Sequence, residues 1–175
     1  MNGNTNIPES FKEISPYELE NSLKMIGKDW MLITAEDKAL GKVNAMTASW
    51  GGMGVLWNKP VAIGFVRPQR HTFGLTEEQD RISLAFLGED KREALSLCGS
   101  KSGRDCNKLS LAGLTTLNAD GVPVIGEARV ILICKKLYAQ FLTEDSFVDS
   151  SLLSNYKNGD YHRMYVWEIE KALIR

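Results

Sequence analysis

Asn44–Gly54 reads NAMTASWGGMG. It mixes small hydroxylated residues, one tryptophan and three glycines, and it carries no charged side chain. A surface loop normally carries charge, and a fully buried strand is richer in Val, Ile and Leu. Read together with Lys42 and Val43, the first half alternates as a strand: Val43, Ala45, Thr47 and Ser49 share one face, and Asn44, Met46 and Ala48 the other. The glycines that follow permit close backbone approach. Thr47, Ser49 and the backbone can hydrogen-bond a heterocycle, and Trp50 can pack on a planar ring. The plainer alternative is a strand that ends in a glycine-rich bend with Trp50 in the core.

The rest of the chain extends this strand into a sheet. WMLITA (30–35), PVAIGFV (60–66), RISLAFL (81–87) and MYVWEIEKALI (164–174) are short apolar or alternating runs. Residues 122–142 are β-branched and interrupted by Lys135-Lys136, reading as two strands or one long bent strand. Asn118-Ala119-Asp120-Gly121 supplies a short turn. That makes about six strands. Helices are few and short. Ser15-Pro16-Tyr17-Glu18 is a helix start with a capping box, followed by Leu19, Leu23 and Ile26 on one face and Gly27 as a stop. Thr72–Gln79 predicts a helix capped by Thr72. Glu89–Cys98 predicts another, with Ala94, Leu95 and Cys98 inward and Gly99 ending it, and 150–156 a third. Strands do not alternate with crossover helices, so a mainly β (α+β), antiparallel barrel fits better than a doubly wound parallel sheet. Residues 1–10 read as a mobile tail, and 11–175 as a single domain.

Bulk properties narrow the function. The 175 residues carry 21 basic and 22 acidic side chains, for a net charge of −1. Binding to nucleic acid or to an anionic membrane through global charge is therefore not expected. The polar N-terminus has no signal-peptide pattern, and no apolar run reaches the ~18 residues of a membrane span. Three cysteines without a C-x-x-C pair, and two histidines without a His/Cys cluster, suggest a reducing cytoplasm and no metal site.

Two basic segments complement NAMTASWGGMG. RPQRHT (67–72) leads into a helix start, and CGSKSGRDCNK (98–108) places Lys101, Arg104 and Lys108 around a Ser/Gly turn. Helix-terminal and turn N–H groups, with arginine and lysine, suit a phosphate monoester. The alternative is a set of solvated loop charges. Gly99 and Gly103 do not have the spacing of a Walker loop.

In order, N-x-M-T-A-S-W-G, R-P-x-R-H-T, S-K-S-G-R-D-x-x-K and a late D-Y-H resemble the flavin reductase-like, FMN-binding split-barrel family, closest to its flavoredoxin-type members. The resemblance spans about 12–175. It implies a six-stranded antiparallel Greek-key split β-barrel, a homodimer, and FMN near the dimer interface. It further implies an oxidoreductase with hydride transfer from NADH or NADPH to flavin N5, or an electron carrier whose bound FMN is fed by a redox protein partner. A third alternative is a non-enzymatic barrel binding another phosphorylated ligand. By this resemblance Thr47, Ala48, Ser49 and Trp50, flanked by Asn44 and Met46, line the isoalloxazine. Arg67, Pro68, Arg70, His71 and Thr72 serve the ribityl-phosphate side. Ser100, Lys101, Ser102, Gly103 and Lys108 close over it, and His162 stands at the mouth. Ser49 and His162 are the candidates for a catalytic part. A retained FMN and a passing FMN substrate both stay open.

Overall fold

The structure is a computed structural model that describes residues 6–175. Residues 1–5 of the expected tail lie outside the described residues. In the remainder of that tail, Asn6 accepts from the Asp120 N–H at 3.1 Å, and Ile7 packs on the core.

Among the described residues ten strands form: β1 Lys12–Ile14, β2 Met31–Asp37, β3 Lys42–Ala48, β4 Gly51–Leu56, β5 Lys59–Val66, β6 Arg81–Phe86, β7 Thr116–Ala119, β8 Val122–Ile125, β9 Val130–Phe141 and β10 Arg163–Ile174. Seven of them run in the order β3-β2-β6-β9-β10-β5-β4, β1 adds to the end of β10, and every pairing is antiparallel. The sheet is an open, split barrel with β3 and β4 at its two edges. β6 sits between β2 and β9, and β5 beside β10, so the chain neighbours β3 and β4, and β5 and β6, are separated in the sheet as in a Greek key. The six expected strands are all present, and β1 and β4 extend their sheet. β7 and β8 form a separate hairpin.

Period-two alternation divides the apolar residues between two cores. Met31, Ile33, Met46, Leu84, Leu132 and Trp167 fill the barrel interior. Leu32, Ala45, Ala85, Ile131 and Ile133 point outward and are covered by the helix Arg92–Ser100 and the β7–β8 hairpin. Hence β2 is buried on both faces and lacks a polar stripe. Irregularities at Val166/Trp167 and Ile169/Lys171 bend β10, so its first half pairs with β5 and its end with β1. Tyr165 and Trp167 stack with centroids 5.1 Å apart. A Cβ at Gly64 would lie 2.6 Å from the Trp167 ring, so only glycine fits beneath it.

Several local expectations are corrected. Gly51–Leu56 is a strand, not a bend; it turns into β5 through Trp57 and Asn58, both left-handed at φ 53° and 56°. Residues 122–142 are two strands, one of the two expected readings, but the break lies at Gly126–Arg129 and the second strand runs through Lys135-Lys136; Thr116–Ala119 is an additional strand paired through the Asp120-Gly121 turn. The Ser15/Glu18 capping box forms, but it caps only the short turn Pro16–Glu18. The left-handed Asn21 then breaks the helix, which resumes at Ser22 and runs past Gly27 to Asp29. That break leaves Leu23 exposed while Ile26 is buried. The helix His71–Glu78 is not capped by Thr72; Arg70 precedes it, and the Thr72 hydroxyl is used elsewhere. Ala94, Leu95 and Cys98 do face inward, and the helix continues through Gly99 to Ser100. Among the described residues no helix is long and apolar enough to cross a membrane.

Candidate functional site

β3 ends at Ala48, and the chain turns at Ser49–Trp50 into β4. This geometry opens a cleft of about 280 Å³ lined by Met46, Thr47, Ala48, Ser49, Trp50, Phe65, Arg67, Arg70 and His162. Because β3 is an edge strand, its outer backbone groups face the cleft region without a neighbouring strand. Thr47 Oγ1 donates to the Leu95 carbonyl at 2.5 Å, fixing the helix Arg92–Ser100 against β3. The Ser49 hydroxyl makes no hydrogen bond among the described residues. Trp50 is 47% exposed, so it stands at the cleft wall and not in the core.

His162 packs against Trp50 and lines the same cleft. Its ring centroid is 5.1 Å from that of Trp50 and 6.3 Å from that of Phe65, and its Nδ1 lies 2.9 Å from Tyr156 Oη. Burial, reinforced by the nearby Arg67 charge, pushes the imidazole down to about 4, so it is neutral at physiological pH. Arg67 is clasped by Asp160, donates to the Asn155 carbonyl at 3.1 Å, and lies 5.4 Å from the centre of the Tyr156 ring. The Asp160 carboxyl is held below its usual range by hydrogen bonds from Arg67 and Gln69.

Arg70 links this cleft to a second chamber of about 120 Å³, lined also by Gln69, His71, Ser100, Lys101, Ser102, Gly103 and Lys108. Arg70 donates to the carbonyls of Gly99 at 2.8 Å and Cys98 at 3.3 Å. Lys108 Nζ donates to those of Cys98 and Lys101, both at 3.2 Å. Burial, with Arg70 close by, lowers the Lys108 ammonium to about 8. Burial also lowers Arg70. Neither cation meets a carboxylate among the described residues; both complement the carbonyl-rich end of the helix Arg92–Ser100. Lys101 is exposed and unpaired among the described residues. Ser100 donates to the Ser96 carbonyl at 2.9 Å, and Ser102 Oγ accepts from the Arg104 N–H at 3.2 Å.

Of the sequence candidates, Met46–Trp50, Arg67, Arg70 and His162 meet in the cleft, and Ser100–Gly103 and Lys108 join Arg70 in the chamber. Others have placements of their own. Asn44 is buried and donates to Thr72 Oγ1 at 2.7 Å, so the pair ties β3 to the helix His71–Glu78. A Cβ at Gly103 would lie 2.2 Å from Asn44 Oδ1, so Asn44 also seats the basic loop. His71 lines the chamber, but its Nε2 is 3.3 Å from Asp37. Pro68 is exposed in the turn whose ends are joined by the Arg70 N–H to Arg67 carbonyl bond of 3.0 Å. Sequence reasoning missed Phe65 and Tyr156, and took Asp160 only as the first residue of the D-Y-H motif, without a role. Phe65 sits two residues before Arg67 and so shares its side of the strand end, a period-two signal that was present. Tyr156 reaches the site through tertiary packing alone.

The flavin reductase-like domain model matches residues 24–172. Solved structures share the fold. An FMN-binding domain of a flavin reductase-like enzyme from Shewanella baltica aligns with a TM-score of 0.69 at 15% identity, covering 94% of this chain and 76% of that one. Flavoredoxin from Methanosarcina acetivorans gives 0.65 at 22% identity, covering 84% and 68%. The styrene monooxygenase flavin reductase from Pseudomonas putida gives 0.61 at 14% identity, covering 82% and 77%. No curated protein matches the chain by sequence.

Proposed function

The chain belongs to the flavin reductase-like family, and on that premise we propose that it is an FMN-binding oxidoreductase reduced by NADH or NADPH. One observation carries the reading. Arg70 and Lys108 are cations without carboxylate partners among the described residues, and they border a chamber that joins an aromatic-walled cleft through Arg70. A flat ring carrying a phosphate at the end of a flexible chain matches both compartments. In this reading Thr47–Trp50 lie along the ring edge. Arg70, Lys101 and Lys108, with the Ser102 hydroxyl, whose proton is uncommitted among the described residues, hold the phosphate.

Bound flavin supplies the hydride-accepting chemistry; the protein supplies geometry and hydrogen bonds. Ser49 and the edge backbone of β3 are the donors offered to the ring, and Trp50 and His162 exclude water from its face. No acid–base residue is needed. A second copy of the chain covers the exposed apolar side chains of the β4–β5 hairpin, making a homodimer. A reducing cytoplasm suits the three free cysteines and the nicotinamide supply.

An absorbance spectrum of the purified protein, with and without NADH or NADPH, tests the reading. Flavin bands that bleach on reductant are expected. The open cleft mouth beside the half-exposed Trp50 supports a second reading, a carrier fed by a redox protein, for which the bands persist with either nicotinamide. Colourless protein with no affinity for added FMN overturns both.

A further inference from the structure

Only one ring nitrogen of His162 is engaged. Nδ1 faces the Tyr156 hydroxyl at 2.9 Å. Nε2 has no hydrogen-bond partner among the described residues, yet it is not among their sealed, unsatisfied polar atoms. It therefore opens onto the cleft that the ring lines, although the residue as a whole is only 9% exposed.

The direction of the Tyr156–His162 bond follows from counting protons. Tyr156 is buried, and its hydroxyl has no acceptor other than Nδ1 among the described residues. If Nδ1–H donated to Oη, the phenolic proton would be left without an acceptor, a costly arrangement for a buried hydroxyl. Tyr156 is therefore the donor and Nδ1 the acceptor. A neutral imidazole with an accepting Nδ1 carries its proton on Nε2. The charged groups around the ring keep it neutral. Arg67 is close and positive, and Asp160 is already committed to Arg67 and Gln69.

We infer that Tyr156 is a positioning residue: by donating to Nδ1 it fixes the proton of His162 on Nε2, so that the cleft presents an uncharged N–H to a carbonyl acceptor on the incoming substrate. The inference rests on the flavin reductase reading for its substrate, the carboxamide oxygen of a reduced nicotinamide. An anionic acceptor is disfavoured, because the local cation, Arg67, is already paired.

Histidine tautomers are read directly from long-range ¹H–¹⁵N spectra of labelled, flavin-free protein near pH 7. The expected wild-type spectrum shows His162 as the single Nε2–H tautomer, and Tyr156→Phe converts it to a mixture. In FMN-loaded protein, Tyr156→Phe raises the nicotinamide KM by about 3- to 10-fold, the effect of one neutral hydrogen bond. In a His162→Gln background, where the amide keeps a donor that Tyr156 does not orient, Tyr156→Phe adds no further change. An Nδ1–H tautomer, an imidazolium, or a tautomer unaltered by Tyr156→Phe overturns the inference. The tautomer is measured without flavin. A protein that shows Nε2–H but binds no FMN overturns the proposed function and leaves the Tyr156 assignment standing.

Discussion

Arg70 and Lys108 share one acceptor, the carbonyl of Cys98, which receives Arg70 Nη2 at 3.3 Å and Lys108 Nζ at 3.2 Å. Two cations from different segments thus converge on one helix end, which is favourable only because that end is rich in unpaired carbonyls. Their remaining field points into the chamber. Arg70→Ala is expected to weaken FMN binding by about 10- to 150-fold, the loss of one or more charge-assisted hydrogen bonds. It also lowers the thermal midpoint, because the carbonyls of Cys98 and Gly99 lose their donor. Lys101→Ala removes an exposed charge with no internal partner, so FMN affinity falls only about two- to fivefold and the midpoint stays put. Flavin fluorescence titration and thermal melts separate the two effects. Wild-type affinity in Arg70→Ala would refute the phosphate placement.

The lowered ammonium of Lys108 gives FMN binding a pH signature. Burial and Arg70 hold this group at about 8 in the free protein, and an anion in the chamber favours its charged form. Binding therefore takes up a proton above about pH 8 and none well below it. Affinity falls above that pH, at most about tenfold per unit. Below about pH 6 the phosphate loses its second charge, which weakens binding from the other side. The expected profile peaks between these limits. Lys108→Met binds more weakly and loses the alkaline decline; a decline that persists in this variant assigns it to another group.

These two residues also illustrate what the sequence makes legible. The strands could be read because apolar alternation reports the two faces of a sheet, and Asp120-Gly121 could be read because its residues suit a left-handed turn. The β4–β5 hairpin was hidden because its turn, Trp57-Asn58, carries no glycine, and because the three glycines of its first strand suit a bend as well as a strand. The basic segments could be read from composition as suited to an anion. What Arg70 and Lys108 hold in the protein itself could not, because the partners are backbone carbonyls that leave no trace in residue type. Asn44 looked like a ligand contact for the same reason. In the structure it meets Thr72 and leaves room only for a glycine at 103, a relation that depends on tertiary placement.

His162 makes stability depend on pH in the acid range. Its folded-state value is depressed to about 4 from 6.5. Above pH 6.5 the ring is neutral in both states and contributes no pH dependence. Between 6.5 and 4 the unfolded chain takes up the proton and the folded one does not, so stability is lost as pH falls. The full loss is on the order of 3 kcal/mol. Urea unfolding midpoints measured across this range should fall in the wild type and flatten in His162→Gln. Equal slopes in both proteins would show that carboxylates alone govern acid unfolding.

The exposed side chains of the β4–β5 hairpin carry the last expectation. Val55, Leu56 and Trp57 are 61%, 39% and 55% exposed, and Tyr138, at 40%, meets Trp57 with centroids 6.4 Å apart. A monomer would leave this apolar face in water beside an edge strand, a combination that favours association. If a second copy covers it, Trp57→Asp places an unpaired carboxylate in a desolvated contact, which costs several kcal/mol and weakens the dimer by about 100-fold or more. Sedimentation velocity should show a wild-type dimer and a Trp57→Asp monomer at the same micromolar concentration. The substitution lies on the solvent side of a turn, so the fold should survive it, as circular dichroism would verify. A monomeric wild-type protein would mean that this face serves another partner or none.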